Sequence, residues 1–305
     1  MNQQDRMQLF AEIKFLHARL DELPNSARLM RISTESRLRA VEKRLAQGPV
    51  DEGEPARVRL TFNGRPVIGS HGIFVEFGMK AVTSFTEAVT AIAASINSPL
   101  AAMGPIPNRE QHQLLITNTA MGSFGFELEE YRAGQLPFAE ESLVAQALDR
   151  TQNLLQCTLG TDDQLADSAS ETDPRALDKV RVFLQTLSDA EAICTMQYQD
   201  RGFRFTDVGQ VRKSLARIGQ DNLHDDEQCL EGKFLGVLPN GRTFEFKVDG
   251  QDEVIRGKVG AVILDVDQLN RHLYHPANIK VMVTRVGNGR PRYVLVEDPC
   301  WIEVV

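Results

Sequence analysis

The sequence predicts an α+β protein in three parts: an N-terminal coiled coil or helical hairpin, a mixed α+β middle domain and a small C-terminal β-barrel of OB or SH3 type. Three observations predict this division. A heptad pattern of apolar residues fills residues 1–47, a linker rich in Gly, Pro and acidic residues follows at 48–56, and closely spaced strand-like runs begin after Cys229. The middle domain is therefore expected at 57–220 and the barrel at 228–305.

The N-terminal segment carries apolar residues at alternating steps of four and three, which predicts a seam for packing against another helix. The predicted oligomerisation residues are Leu9, Ile13, Leu16, Leu20, Leu23 and Met30. Pro24 interrupts the pattern and leaves two forms open. Either a kinked coil associates with another chain, or a hairpin folds back near Pro24 and buries the seam partly on itself. We expect a homo-oligomer, because a helix of this length needs packing in water.

The same segment is locally basic, with nine basic and six acidic residues among the first 50. Its candidate nucleic-acid contacts are Arg28, Arg31, Arg37, Arg39, Lys43 and Arg44. However, Arg31, Glu35 and Arg39 have the i, i+4 spacing of salt bridges on a solvated helix, and no aromatic side chain for base stacking accompanies them. The pattern favours a solvated coil over a nucleic-acid contact.

The middle domain is predicted to begin with a hairpin, in which 58–62 pairs with 65–68 around the turn Asn63-Gly64. Helices follow at about 78–96 and 140–158, with apolar residues on one face. Asn-Gly-Arg recurs at two later turns, Asn240-Gly241-Arg242 and Asn288-Gly289-Arg290, and is interpreted as turn chemistry rather than a ligand motif.

Later in this domain the segment Thr161–Thr172 is poor in apolar residues and is predicted to be an exposed loop. Thr172 or Asp173 caps the next helix, which has Pro174 in its first turn. Asp207 opens a last helix that ends near Ile218. The predicted strands of the domain, besides the first hairpin, cover 113–119, 123–130, 193–198 and 203–205.

The C-terminal part has five predicted strands and a helical turn at Asp265–Leu273 between the third and the fourth. The strands are expected at 230–238, 242–248, 253–259, 279–286 and 291–297, which favours a small barrel. Ten basic and ten acidic residues from 228 to 305 argue against a strong electrostatic footprint for nucleic acid. The sequence leaves open whether six cations share one face: Lys247, Arg256, Lys258, Arg285, Arg290 and Arg292.

No motif predicts chemistry. Nucleophile elbows, Walker A loops, zinc-protease helices and dinucleotide fingerprints are missing from the sequence, so we assign no catalytic residue, no metal and no cofactor. His71 is interpreted as an exposed loop residue, and His224-Asp225-Asp226-Glu227 as a solvated interdomain linker. His272 and His275 share a helical face, but two further zinc ligands are missing nearby.

The net charge is −8, and residues 51–227 hold 26 acidic against 15 basic groups. An acidic middle domain repels nucleic acid. The four cysteines, Cys157, Cys194, Cys229 and Cys300, form no close pair, which is typical of reduced thiols in a cytoplasmic protein. Since no apolar run of about 18 residues occurs, we expect no membrane partner.

Together these patterns predict a non-catalytic assembly or adaptor protein that self-associates through its N-terminal segment and docks protein partners through its other domains. The alternative is a nucleic-acid-associated accessory subunit of a bacterial genome-maintenance or phage-defence complex. Binding of DNA or RNA that weakens with salt would favour the alternative.

Overall fold

The computed structural model describes residues 55–120, 123–132, 141–250 and 254–302, together with single N-terminal residues at 16, 19, 20, 30, 34, 37 and 38. The chain divides into two compact units. One comprises 1–55 with 132–142, and the other comprises 56–131 with 143–305. The second unit contains a five-stranded sheet, its helices and the barrel.

In the first unit the described residues between 16 and 38 are helical. Leu16 and Leu38 are buried in one apolar cluster, with Leu20 packed against them. In one continuous α-helix these two residues would lie about 33 Å apart, which is too far for their side chains to share a cluster. Met30 is 62% exposed. The other predicted seam residues, Leu9, Ile13 and Leu23, lie outside the described residues.

The elements of the second unit begin with a sheet and its covering helices. They are β1 (Arg57–Gly64), β2 (Val67–Ile68), β3 (Gly72–Ile73), α1 (Val75–Ser95), a 3-10 turn (Arg109–His112), β4 (Leu114–Ala120), β5 (Gly125–Glu130), α2 (Leu143–Cys157), α3 (Asp162–Ser170), α4 (Pro174–Asp189), β6 (Ala192–Tyr198), β7 (Arg201–Arg204) and α5 (Val208–Arg217). Five strands form an antiparallel sheet in the order β4-β5-β1-β6-β7.

The core of this part lies between the sheet and the helices α1, α2 and α4. Alternate residues of β1, Leu60 and Phe62, are fully buried, as expected for one covered face of a sheet. Phe85 of α1 and Phe183 of α4 meet edge to face, with ring centroids 5.5 Å apart. The two predicted caps are confirmed, since Asp173 accepts a hydrogen bond from Arg175 N and Asp207 from Gln210 N.

The predicted first hairpin is wrong. Strand β1 continues through Asn63 and Gly64, which pair with Ile193 and Ala192 of β6, and the short strand β2 pairs with β3 instead. Gly64 has a φ of 112°, and a Cβ built there would lie 2.4 Å from the carbonyl oxygen of Glu191. The glycine is thus required by a close approach of two backbones and not by a type I′ hairpin turn.

The predicted loop at Thr161–Thr172 is also wrong, because most of it forms α3. The hydroxyl of Thr161 accepts from Gln164 N, and the Gln164 side chain accepts from Thr161 N, which together make a capping box. Leu165 and Ala166 are fully buried and anchor the helix to the core.

The remaining elements form the barrel: β8 (Leu223–Leu238), β9 (Thr243–Val248), β10 (Val254–Val259), α6 (Val266–Asn270), β11 (Pro276–Val286), β12 (Arg292–Leu295) and β13 (Cys300–Trp301). The strands β12-β10-β9-β8-β11 close on themselves, because β12 also pairs with β11. The pair β10–β12 is parallel and the other barrel pairs are antiparallel. A closed five-stranded barrel with one inserted helix is therefore confirmed.

The barrel has its own core around Phe234, Phe244 and Phe246, and the rings of Phe234 and Phe246 are 5.0 Å apart. Its first strand starts earlier than predicted. Residues 223–227, expected as a solvated linker, pair with β11 within β8. Leu223 and Val286, at the ends of β8 and β11, join the core of the sheet part. Helix α3 packs against β11 and β12.

Of the helices that are described, none has the length and apolarity that crossing a membrane requires.

Candidate functional site

A groove lies where α3 meets the barrel. Its cavity has a volume of about 820 Å³ and is lined by residues of α3, β8, β9, β10, β12 and the segment at α6. The apolar residues of the lining are Val237, Leu238, Phe244, Leu273 and Tyr293. The charged ones are Asp167, Glu245, Arg256, Lys258 and Arg292. We call this cavity the groove.

The floor of the groove depends on a glycine. Gly257 of β10 pairs with Phe244 of β9 and with Tyr293 of β12. A Cβ built on Gly257 would lie 2.5 Å from the Phe244 ring and 2.7 Å from the carbonyl oxygen of Tyr293. Only glycine therefore lets the ring and the neighbouring strand close under the groove.

Three cations surround the groove because strand geometry brings them together. Arg256 and Lys258 are two positions apart on β10 and point away from the barrel core, on the opposite side from buried Ile255 and Val259. Arg292 begins β12, which runs parallel to β10. Of the six barrel cations considered from the sequence, these three share one face. Lys247, Arg285 and Arg290 do not line the groove.

Helix α3 supplies carboxylates to these cations. Asp163, Asp167 and Glu171 are spaced four residues apart, which places them on one side of the helix. Arg292 donates to Asp167, and its guanidinium lies 3.3 Å from Asp163. Lys258 pairs with Glu171. Arg256 pairs within the barrel, with its Nε 2.9 Å from Glu245 Oε1.

The electrostatics of the groove reflect burial and crowding of like charges. Burial lowers the pKa of Lys258, and the nearby cations Arg150 and Arg292 lower it further, while Asp167 acts in the opposite direction. The hydrogen bond to Asp167 raises the pKa of Arg292. Several cations therefore share a few carboxylates, and each carboxylate of α3 counteracts their mutual repulsion.

The helix that carries these carboxylates is held firmly. The guanidinium of Arg217, which is largely buried, donates to the carbonyl oxygen of Gly160 at 2.8 Å and to Asp162 at 2.7 Å. With the buried side chains of Leu165 and Ala166, these bonds fix the start of α3. The side chains of Asp163 and Asp167 are themselves more than half exposed.

Among the residues that the structure describes, the other candidates from the sequence form no common site. Of the six proposed nucleic-acid contacts, Arg37 is described and lies exposed on a helix, and the other five lie outside the described residues. His71 is exposed in the turn between β2 and β3. The acidic run at 224–227 alternates along β8, where Asp225 accepts from Thr284 and Glu227 pairs with Lys280.

His272 and His275 have ring centroids 6.1 Å apart, and His272 stacks on Trp301 at 4.5 Å. Within the described part of the chain, no group of three or more His, Cys, Asp or Glu side chains is arranged to hold a metal ion.

All four cysteines are free, and burial raises the pKa of Cys194 to about 12. That thiol is therefore a core residue and a poor nucleophile.

Sequence reasoning missed Asp163, Asp167, Glu171 and Tyr293. Two signals were present: the capping-box pattern Thr161-x-x-Gln164, and the regular spacing of the three acidic residues.

No family model, no curated protein and no solved structure matches this chain.

Proposed function

We propose that the chain is a non-catalytic assembly or adaptor protein that docks a protein partner in the groove. The observation that carries the proposal is the position of the groove on the closed barrel. Counted within the barrel, the first strand, β8, lies next to the fourth, β11, and the third, β10, runs parallel to the fifth, β12. This strand order supports the OB alternative over the SH3 one. OB barrels bind oligonucleotides and oligosaccharides on the face of their second and third strands, so this face is where a ligand of the barrel is expected.

Here those strands are β9 and β10, which supply Phe244, Glu245, Arg256 and Lys258 to the groove lining. An apolar floor surrounded by charged side chains suits a protein segment, since interfaces combine a desolvated centre with a polar periphery. Leu238, which lines the groove and is 68% exposed, is an apolar side chain open to such a partner.

The experiment places a photo-crosslinking amino acid at position 238 in the native host. The matched control is the same amino acid at Val182, which is half exposed on α4, away from the groove lining. We expect a crosslinked product at 238 that protease removes and nuclease does not, and no such product at 182. Equal products at both positions, or none at either, would refute docking in the groove.

The proposal also includes self-association through residues 1–47. The shared cluster of Leu16, Leu20 and Leu38 supports a hairpin as the associating element. The exposed side chain of Met30 supports association, because it leaves apolar surface that another copy can cover. The change Leu16→Asp with Leu20→Asp separates the two forms. If these residues associate with another chain, it should convert an oligomer to a monomer without unfolding the barrel; if they pack only within the hairpin, it should lower the thermal stability with no change in mass. Light scattering that gives a monomer for the unmodified chain at tens of micromolar would exclude self-association.

The second candidate is nucleic-acid binding, as an accessory subunit of a genome-maintenance or phage-defence complex. It is favoured by the convergence of Arg256, Lys258 and Arg292 on the binding face of an OB-like barrel. Against it, all three cations are already paired with carboxylates. We expect no sub-micromolar binding of a 20-nucleotide oligothymidylate at physiological salt. Tight binding that falls steeply with salt would make this candidate the better one.

A further inference from the structure

We infer that the ligand of the groove is an acidic segment of a protein, and that the carboxylates of α3 compete with it for the same cations. This inference rests on the proposed docking function and adds the chemical class of the partner and its regulation. The starting observation is that two of the groove cations, Lys258 and Arg292, are already bound by carboxylates from a different part of the same chain.

The present partners of the cations show which ligand chemistry fits. Arg292 donates to the carboxylates of both Asp163 and Asp167, and Lys258 pairs with that of Glu171, all from one side of α3. A helical or extended segment with regularly spaced Asp or Glu can offer the same groups. Between the cations, Leu238, Leu273 and Tyr293 provide an apolar surface for one or two apolar side chains of that segment.

A single nucleic-acid strand fits less well. Successive bases need accessible aromatic faces, and of the two aromatic residues in the lining, Phe244 is buried in the barrel core. Arg242, on the turn between β8 and β9, is also committed, because its guanidinium donates to the carbonyl oxygens of Gly260 and Ile263 at 2.6 and 2.7 Å. Hence the described residues of the barrel offer the three groove cations but not a longer track of cations for phosphates.

The competition requires no movement of the helix. Leu165 and Ala166 stay buried and Arg217 keeps hold of the helix start, whereas the side chains of Asp163, Asp167 and Glu171 are exposed enough to rotate into solvent. A partner's carboxylates can therefore replace those of α3 one by one. The carboxylates of α3 set how acidic a partner must be before it binds.

The test uses fluorescence anisotropy with the full chain and three labelled probes. The first probe is a 16-residue peptide of Leu and Glu, the second has Gln in place of every Glu, and the third is a 20-nucleotide oligothymidylate. The proteins are the unmodified chain and a variant with Asp163→Asn, Asp167→Asn and Glu171→Gln. A third protein adds Lys258→Gln and Arg292→Gln to that variant.

We expect the Leu-Glu peptide to bind the carboxylate variant about tenfold more tightly than the unmodified chain. The gain is no larger because the exposed ion pairs that compete with the peptide are weak. Removing the two cations should abolish the gain, and the Leu-Gln peptide should bind all three proteins equally. Since the triple change could impair folding, Glu171→Gln alone, which frees Lys258 and leaves Arg292 paired, serves as a second variant with a smaller gain in the same direction.

The inference would be overturned if the Leu-Glu peptide bound the unmodified chain, the triple carboxylate variant and the Glu171→Gln variant with equal affinity. Preferential binding of oligothymidylate would also overturn it. These failures are separate from failure of the docking function. If a protein crosslinks at position 238 but the acidic peptide shows no preference, docking stands and the ligand class is wrong. If no protein crosslinks there, docking itself is wrong.

Discussion

The substitution Gly125→Ala tests the sheet register most directly. Gly125 opens β5 opposite Thr61 of β1. A Cβ built on it would lie 2.1 Å from the carbonyl oxygen of Leu60 and 2.5 Å from the Thr61 Cα, where ordinary contact begins at 3.4 Å. Both obstacles are backbone atoms of the central strand, so no side-chain rotation can relieve the contact. The strands must separate by roughly 1 Å in a close-packed structure.

Overpacking of this kind costs about 1–3 kcal/mol, and we expect about 3 kcal/mol because the contact is with backbone. For a chain of this size the melting temperature should fall by about 6–12 °C, since each kcal/mol shifts it by about 2–4 °C. Gly72→Ala is the matched control, because nothing lies within 4 Å of its Cβ position. Thermal unfolding followed by circular dichroism measures both. A Gly125→Ala variant that melts with the control would show that β1 and β5 are not paired in this register.

Two further predictions concern the same core. Phe183→Ala removes a buried ring that contacts Phe85 and should lower the free energy of unfolding by about 3–5 kcal/mol in urea titrations; a loss below about 1 kcal/mol would contradict the packing of α1 on α4. Burial lowers the pKa of His112 below 6.5, with Glu130 opposing this, so the folded state binds fewer protons than the unfolded one. Stability should therefore be complete above pH 6.5 and decline as the pH falls through that value. His112→Gln should flatten this decline between pH 7.5 and pH 5, and an unchanged slope would assign the pH dependence to other groups.

Local signals predicted much of the fold. Asp173-Pro174 and Asp207 marked two helix starts, because a capping carboxylate and a proline act within one turn. The barrel strands were predicted from alternation and turn residues, which are also local. The first hairpin failed because Asn63-Gly64 has two uses: a tight turn, or a close approach to Glu191 far along the chain. The second use could not be predicted from the sequence, because the two backbones that approach each other are far apart along the chain.

The groove could not be predicted from the sequence, for the same reason. Arg292 and Asp167 are 125 residues apart, and nothing local in either segment indicates the other. The acidic residues of α3 resembled a solvated loop because the helix is short and carries few apolar residues. Its capping box is local, but the burial of its two anchors, Leu165 and Ala166, depends on packing against the rest of the unit.

The charges of the groove also show how a barrel with equal numbers of acidic and basic residues would select the acidic ligand inferred above. Exposed ion pairs contribute about 0–1 kcal/mol each, so replacing the carboxylates on Lys258 and Arg292 costs up to about 2 kcal/mol in total, and a cost of about 1.4 kcal/mol corresponds to a factor of ten in affinity. A partner with one carboxylate gains too little to overcome this cost, whereas a partner with several, plus an apolar residue on the groove floor, gains more than it loses. Added salt weakens the internal and the external pairs alike. The difference between the unmodified chain and the carboxylate variant should therefore shrink as salt rises, even where the apolar contact keeps the peptide bound.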